Sequence, residues 1–232
     1  YEAPFMFLFI GNKKALLVDT GATVGENSFP LYQTVNAIIT DWQVRHKNTL
    51  QLIVVHTHGH HDHIAGDEQF IGKANTTVIG PDVEDLKKFF AIKHWSTDNG
   101  SVELGGRLVE ILPIPGHQRA SIAFYDQSSR LFLTGDTFYP GRLYVDDWTA
   151  FKQSIAKLLD FAEHHEISYI LGNHIEMSAS PGVDYPTGAT FQPDEHKLPL
   201  AIEDLRTLHA ALTKLGDTPV REVHDKFIIS PK

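Results

Sequence analysis

Short apolar runs bounded by turn residues dominate the hydrophobic pattern of the first 135 residues and recur before residue 172. Continuous runs of four to six apolar residues predict strands that are buried in a layered fold. The predicted strands cover residues 5–10, 15–18, 50–55, 76–79, 107–112, 121–125, 131–134 and 168–171. Gly11 and Asn12 predict a hairpin between the first two strands, and residues 126–129 predict another.

Other segments show the helical spacing of apolar residues. One predicted helix carries Leu31, Val35, Ile38, Ile39 and Trp42, and a later one carries Phe151, Ile155, Leu158, Leu159 and Ala162. Two more helices are predicted over residues 83–90, after a turn and N-cap at Pro81-Asp82, and over residues 200–215. One strand is predicted within residues 220–229.

Strands followed by helices, in two rounds, predict the α/β layered class. The expected architecture is an αββα sandwich, in which two mixed sheets pack together and the helices lie outside. A chain of 232 residues, 42% of them hydrophobic, fits a single domain over residues 1–232. Residues 180–199 carry four prolines with little periodicity and are expected to form a long ordered loop near the site. Residues 200–232 supply the C-terminal helix and strand.

Candidate metal ligands follow the predicted strands. Residues 56–63, directly after the strand at 50–55, contain five histidines and one aspartate. Four more ligand-type residues stand at or near the ends of other predicted strands or in loops, one before this cluster and three after it, namely Asp19, His117, Asp136 and His174. Imidazole and carboxylate groups are ligands of zinc and other first-row divalent metals. The pattern therefore predicts a metal site built from strand ends.

The spacing of the histidines and the aspartate within residues 56–63 points to two groups of ligands. His58 and His60 are two residues apart and can converge on one ion, whereas the adjacent Asp62 and His63 point to a second ion. His117, Asp136 and His174 can complete the two sets. His56 is expected within or beside the strand, and His61 is expected to be exposed or beside a ligand rather than a ligand itself.

Composition narrows the classes of binding partner and the ligand atoms that the chain can offer a metal. The net charge of −9 disfavours nucleic acid and anionic membranes, so the expected partner is a small molecule. The absence of cysteine leaves nitrogen and oxygen as ligand atoms and leaves the compartment undecided, whether cytoplasmic or exported with a removed signal peptide. No run of about eighteen apolar residues occurs, so a soluble chain without a transmembrane helix is expected. Oligomeric state is not predicted.

These motifs resemble those of the metallo-β-lactamase superfamily. Residues 58–63 match its HxHxDH signature, and residues 115–117, residues 133–137 and His174 resemble its later motifs in the same order. Residues 18–21, which include Asp19, are similar to its first motif. The resemblance implies the metallo-β-lactamase fold. It assigns His58, His60 and His117 to one zinc ion and Asp62, His63 and His174 to another, with Asp136 bridging them and Asp19 orienting a histidine ligand.

The resemblance also implies an activity. Two Zn²⁺, or Fe or Mn in one or both sites, would share a hydroxide that attacks an ester, thioester, lactone or phosphoester, and Asp62 would orient it and shuttle its proton. All seven ligands resemble those of glyoxalase II, but no basic C-terminal helical domain is identified after His174. β-Lactamases with HxHxDH lack the bridging aspartate. The presence of Asp136 therefore implies that β-lactam hydrolysis is at most a side activity of this chain. The alternatives are a mononuclear iron dioxygenase of persulfide type and a non-catalytic metal-binding module.

Substrate contacts are expected from the loops that follow Asp136 and His174. Aromatic and hydroxyl groups there can line a pocket and stabilise an oxyanion. The candidates for substrate binding are Arg142 and Tyr185.

Overall fold

The structure is a computed structural model that describes residues 3–232. The longer helices are α1 (Leu31–His46), α3 (Val83–Phe90), α4 (Trp148–His164) and α5 (Ile202–Leu215), and each coincides with a predicted helix. Two short elements, α2 (His61–Ile64) and a 3₁₀ turn (Asp67–Gln69), follow the histidine-rich segment. Among the described residues, no helix combines the length and the apolar character needed to cross a membrane.

The first sheet has four strands in the order β1-β2-β3-β4. Its strands are β1 (Phe7–Ile10), β2 (Lys14–Val18), β3 (Gln51–Val55) and β4 (Thr76–Val78). The predicted hairpin joins β1 and β2, while β2, β3 and β4 run parallel. Since Val18 pairs with Val55, the residues that follow β2 and β3 leave the sheet side by side.

The second sheet has five strands in the order β10-β8-β7-β6-β5. Its strands are β5 (Gly100–Glu103), β6 (Leu108–Pro113), β7 (Ile122–Asp126), β8 (Leu131–Gly135) and β10 (Tyr169–Gly172). Strands β8 and β10 are parallel, with a register irregularity between Leu171 and Gly172. Asp136 and His174 therefore follow neighbouring parallel strands at one edge of this sheet.

Three apolar clusters join the layers. One contains residues from both sheets, including Leu16, Ile53, Phe124 and Leu133, so the sheets pack face to face. The other two place α1 on the outer face of the first sheet and α4 with α5 on the outer face of the second. Burial of these clusters is the main favourable contribution to folding. The predicted αββα layering is confirmed.

A third sheet was not predicted. Its strands are β9 (Arg142–Val145), β11 (Glu222–Val223) and β12 (Ile228–Pro231), in the order β11-β12-β9. The expectation of two sheets was therefore incomplete, and the single strand expected within residues 220–229 is a pair of short strands. Strand β9 pairs in parallel with β12, more than eighty residues later in the chain, and no local pattern records a partner at that distance.

The proline-rich segment after β10 forms a long loop with hydrogen bonds of its own. Isolated bridges pair Met177 with Asp184 and Ser178 with Glu195. Backbone hydrogen bonds from Ala179 to Asp194 and from His196 to Met177 add to them. The loop is thus folded back on itself before α5 begins.

Candidate metal centre

The edge of the first sheet supplies the first half of the site. After β2 the backbone of Asp19 adopts a left-handed conformation, with φ of 67°, which aspartate tolerates better than most residues. After β3 the chain continues through His56 to His60 and then turns into α2, which carries Asp62 and His63. The parallel register of β2 and β3 places Asp19 beside this segment, and its side chain is fully buried.

Three imidazole nitrogens converge in a first cluster. His58 Nε2 lies 2.9 Å from His60 Nδ1, and His117 Nε2 lies 3.2 Å and 3.1 Å from the same two atoms. Nitrogen ligands about 2.0–2.1 Å from a tetrahedral zinc ion are separated by about 3.3 Å. The three nitrogens are therefore spaced as ligands of one ion would be, and they could hold a metal.

A second cluster lies beside the first and combines imidazoles with carboxylates. Asp62 Oδ2 is 3.3 Å from both His63 Nε2 and His174 Nε2, and these two nitrogens are 3.4 Å apart. Asp136 lies 3.5 Å from each of the same nitrogens. These four side chains form a second group that could hold a metal.

Asp136 connects the two clusters. Its Oδ2 is 3.5 Å from His174 Nε2 in the second cluster and 3.9 Å and 3.8 Å from His58 Nε2 and His117 Nε2 in the first. Its Oδ1 is buried without a hydrogen-bond partner among the described residues. A buried carboxylate oxygen without a partner is costly unless a cation or a hydrogen-bond donor satisfies it, so the donor set fits metal ions.

Hydrogen bonds orient two of the imidazoles toward the clusters. His63 Nδ1 lies 3.0 Å from Asp19 Oδ2, and His117 Nδ1 lies 2.8 Å from the carbonyl oxygen of Tyr144. Because both partners are acceptors, each Nδ1 carries the hydrogen and donates it. This tautomer leaves the Nε2 lone pair directed into the cluster, which is the arrangement that metal-binding histidines use.

Asp19 is itself held by a buried network. Its carboxylate accepts hydrogen bonds from the Thr57 backbone nitrogen at 2.7 Å, from the Thr57 hydroxyl at 2.9 Å and from Asn173 Nδ2 at 2.6 Å. Thr57 and Asn173 thus contribute to the site although neither was predicted from the sequence. The available signal was position alone, since each immediately precedes a candidate ligand.

Burial and charge set the protonation of the clusters. Burial lowers the pKa of His58 well below its ordinary value and also lowers the pKa of His60, so both favour the neutral form in which imidazole binds metals. For Asp62, burial opposes ionisation, but hydrogen bonds with His174 and His63 hold its pKa below the usual range. Burial alone would lower the pKa of His63, yet Asp136 and Asp19 raise it, so these carboxylates stabilise positive charge at this position, whether a proton or a bound cation supplies it.

The two remaining histidines of the motif lie outside both clusters. His56 is buried, with Nδ1 3.2 Å from the carbonyl oxygen of His63 and Nε2 3.1 Å from Asp67 Oδ2. His61 is exposed on α2. That neither residue is a ligand stays a prediction.

A cavity of about 800 Å³ opens beside His174. Arg142 lines it, but its guanidinium donates to Glu176 Oε1, to Asp184 Oδ2 and to the Tyr185 carbonyl oxygen, each at 2.7 Å. Tyr185 lies outside the set of lining residues, and its hydroxyl accepts a hydrogen bond from the Asp194 backbone nitrogen. Both candidate substrate residues therefore also hold the loop after β10 in place.

Comparison with known proteins identifies relatives over part of the chain. A hydroxyacylglutathione hydrolase of Nostoc punctiforme is 30% identical over 122 residues, which cover 49% of this chain and 48% of the relative. A hydroxyacylglutathione hydrolase of Ectopseudomonas mendocina is 31% identical over 125 residues, covering 53% and 48%. The matched segments thus span about half the length of these curated relatives.

The fold and the family are supported over more of the chain. A metallo beta lactamase from Erythrobacter litoralis, solved with beta mercaptoethanol in the active site, matches 91% of this chain and 86% of its own with a TM-score of 0.55 at 16% identity. That likeness concerns the fold alone. Residues 3–208 match the family model of the metallo-beta-lactamase superfamily. The chain therefore belongs to the metallo-beta-lactamase superfamily.

Proposed function

We propose that the protein is a metal-dependent hydrolase with two zinc ions. His58, His60 and His117 would hold one ion, Asp62, His63 and His174 the other, and Asp136 would contact both. The observation that carries the proposal is the position of the Asp136 carboxylate, within 3.5–3.9 Å of imidazole nitrogens in both clusters. Membership of the superfamily supports the same assignment.

When bound, zinc ions lower the pKa of a water ligand and polarise a carbonyl or phosphoryl oxygen. The protein's own groups would do the rest. Asp62 would orient a water molecule and receive its proton. Its side chain is partly exposed, with 16% accessible, and its lowered pKa keeps the carboxylate in the ionised form that accepts a hydrogen bond from water. Asp19 would hold His63 in position through the bond at Nδ1.

The proposed reaction is hydrolysis of an ester, thioester, lactone or phosphoester of a small molecule. The oxygen of water bonds to the acyl carbon or phosphorus, the bond to the leaving oxygen or sulfur breaks, and the leaving group takes up a proton. The names of the curated relatives favour a thioester. A cavity of about 800 Å³ has the size of a small-molecule site.

Metal analysis and a substrate panel would test the proposal. Purified protein should contain about two zinc ions per chain, and a chelator should abolish turnover of at least one chromogenic ester, thioester, lactone or phosphodiester, with a β-lactam included for comparison. Asp62→Ala should abolish that turnover, whereas His61→Ala, a control in the same short helix but outside both clusters, should retain it. One iron per chain would instead indicate the oxygenase alternative, and bound metal without turnover would indicate a binding module.

A further inference from the structure

We propose that the cavity beside His174 selects uncharged substrates with an apolar chain over glutathione thioesters. This inference rests on the proposed hydrolase function and narrows its substrate class. It is carried by the charges and the apolar groups that surround the cavity.

The cavity offers little free positive charge. Arg142 is the only lysine or arginine among the described residues that line it. Its guanidinium makes four hydrogen bonds of 2.7–3.0 Å, to Glu176, Asp184, the Tyr185 carbonyl and the Tyr144 hydroxyl, and its side chain is only 12% exposed. Two of these partners are carboxylates, so the charge of Arg142 is already balanced within the protein. A substrate carboxylate would have to displace them.

Negative charge remains around the cavity. Glu176 and Asp184 together exceed the single charge of Arg142 by one, and Glu195, which also lines the cavity, is exposed. Glutathione carries two carboxylates and one ammonium at neutral pH, so its thioesters bring a net negative charge. Like charges at short range disfavour binding, and a chain with net charge −9 disfavours the approach of an anion as well.

A second, smaller cavity does not reverse this balance. It is lined by Gln118, which is next in sequence to His117, and by Asp82, Glu84 and Asp85 against a single arginine, Arg119. Lys232 approaches the ring of Tyr144 in β9, but its ammonium lies 2.9 Å from Asp146. Carboxylates thus accompany these cations as well.

Apolar groups line and surround the main cavity. Phe5, Met6 and Phe29 form part of its wall, and Phe5 remains 39% exposed. Val24 and Phe191, each next in sequence to a lining residue, are 56% and 78% exposed. Apolar side chains in the wall of a cavity, with further exposed apolar residues next to the wall in sequence, indicate contact with an apolar ligand. The chain of an acyl group would bury this surface.

A matched pair of thioesters tests the inference. The hexanoyl thioester of N-acetylcysteamine is uncharged, and S-hexanoylglutathione carries the same acyl group on a charged thiol. Release of thiol is measured with a chromogenic disulfide, which the protein itself does not consume because it has no cysteine. We expect kcat/KM to favour the uncharged thioester by about tenfold or more at low ionic strength, and added salt to reduce the preference. The acetyl thioester of N-acetylcysteamine should be hydrolysed several-fold less efficiently than the hexanoyl thioester.

Charge-reversal variants distinguish the effect of charge at the cavity on substrate preference from the effect of the protein's net charge. Glu195→Lys should raise kcat/KM for the glutathione thioester at least several-fold. Glu166→Lys makes the same change of net charge just before β10, at the end of that strand away from His174, and should leave the preference unaltered. Phe191→Ser should reduce the advantage of hexanoyl over acetyl.

The outcomes distinguish this inference from the proposed function. Equal or better turnover of S-hexanoylglutathione would overturn the inference while leaving the hydrolase function intact. If neither thioester is hydrolysed, the thioester activity is wrong, and dissociation constants measured by calorimetry on the metal-loaded protein decide the inference. Tighter binding of the uncharged thioester would support it, whereas equal binding, tighter binding of the glutathione thioester or no binding of either would overturn it.

Discussion

Asp19 Oδ2 accepts a hydrogen bond from His63 Nδ1 at 3.0 Å. A carboxylate directly after β2 therefore fixes the orientation of an imidazole in α2, the short helix that follows the neighbouring strand β3. The same oxygen also accepts from Asn173, which follows a strand of the other sheet. One buried carboxylate therefore ties both sheets to the second candidate metal cluster.

Replacement of this carboxylate should weaken metal binding. In Asp19→Asn the side chain keeps its size and tolerates the left-handed backbone, but it cannot accept from Thr57, His63 and Asn173 together. We expect zinc affinity of the Asp62, His63 and His174 cluster to fall about 10–100-fold, measured by competition with a chromophoric chelator. Asp41→Asn, an exposed change on α1, is the control. Unchanged affinity in Asp19→Asn would contradict the orienting role.

Gly116 should not tolerate a side chain. It has φ of 141° and precedes His117, and a Cβ there would collide with the backbone of Phe151 at the start of α4. We expect Gly116→Ala to lower the free energy of unfolding by about 2–4 kcal/mol and to reduce metal occupancy of the three-histidine cluster, measured by urea denaturation and metal analysis. Gly72→Ala, at another positive φ but in open space, should cost clearly less. Equal losses in the two variants would refute the steric argument.

The ion pair between Arg107 and Asp126 should make stability depend on acid pH. The two side chains form hydrogen bonds of 2.8 Å and 2.9 Å, and Asp126 is fully buried. Burial alone would raise the pKa of Asp126, but Arg107 and Ser129 hold it below the ordinary value. A lowered pKa contributes stability that is present above the unfolded value, about 3.9, and is lost as pH falls toward the folded value.

We therefore expect Asp126→Asn to lower the free energy of unfolding by about 2–3 kcal/mol near neutral pH, because the partly buried Arg107 loses a charged hydrogen-bond partner. The difference from wild type should shrink as pH falls below about 4. Urea denaturation over a pH series measures both. A difference that stays constant down to pH values well below about 3 would show that the ionised carboxylate is not responsible.

Lys157 should make the stability of the protein depend on pH in the alkaline range. Burial lowers the pKa of its ammonium from 10.5 to about 8, although Nζ donates to the carbonyl oxygens of Ser96 and Pro113. Burial penalises the charged form of Lys157, so the loss of folding stability that it causes is full below about pH 8. This loss is relieved as pH rises from about 8 to about 10.5. Relative to Lys157→Met, wild type should gain stability across that window. Lys214→Met, on the exposed face of α5, should show no such trend, and a flat difference for Lys157→Met would contradict the lowered pKa.

The layering and the positions of the candidate ligands could be predicted because both depend on local pattern. Apolar runs located the strands, and polar residues at their ends located Asp136 and His174. Parallel pairing then brings such strand ends together, as the match of Val18 with Val55 shows. The two-residue spacing of His58 and His60 was sufficient to place both in one cluster.

The structural features that could not be predicted depend on contacts between residues far apart in the sequence. Strand β9 alternates half-buried and buried residues over only four positions, and its partner β12 lies near the end of the chain. Arg142 was predicted only as a substrate contact, because its hydrogen bonds to Glu176 and Asp184 arise from the return of the loop after β10. Asn173 was overlooked because its contact with Asp19 spans 154 positions.

The separation of the candidate ligands along the chain constrains the biogenesis of the centre. The first appears at residue 58 and the last at residue 174, on two different sheets. The three-histidine cluster needs nothing beyond His117, whereas the second cluster is complete only when His174, just after β10, has left the exit tunnel. The full ligand set for the two proposed ions therefore forms late in synthesis of the chain.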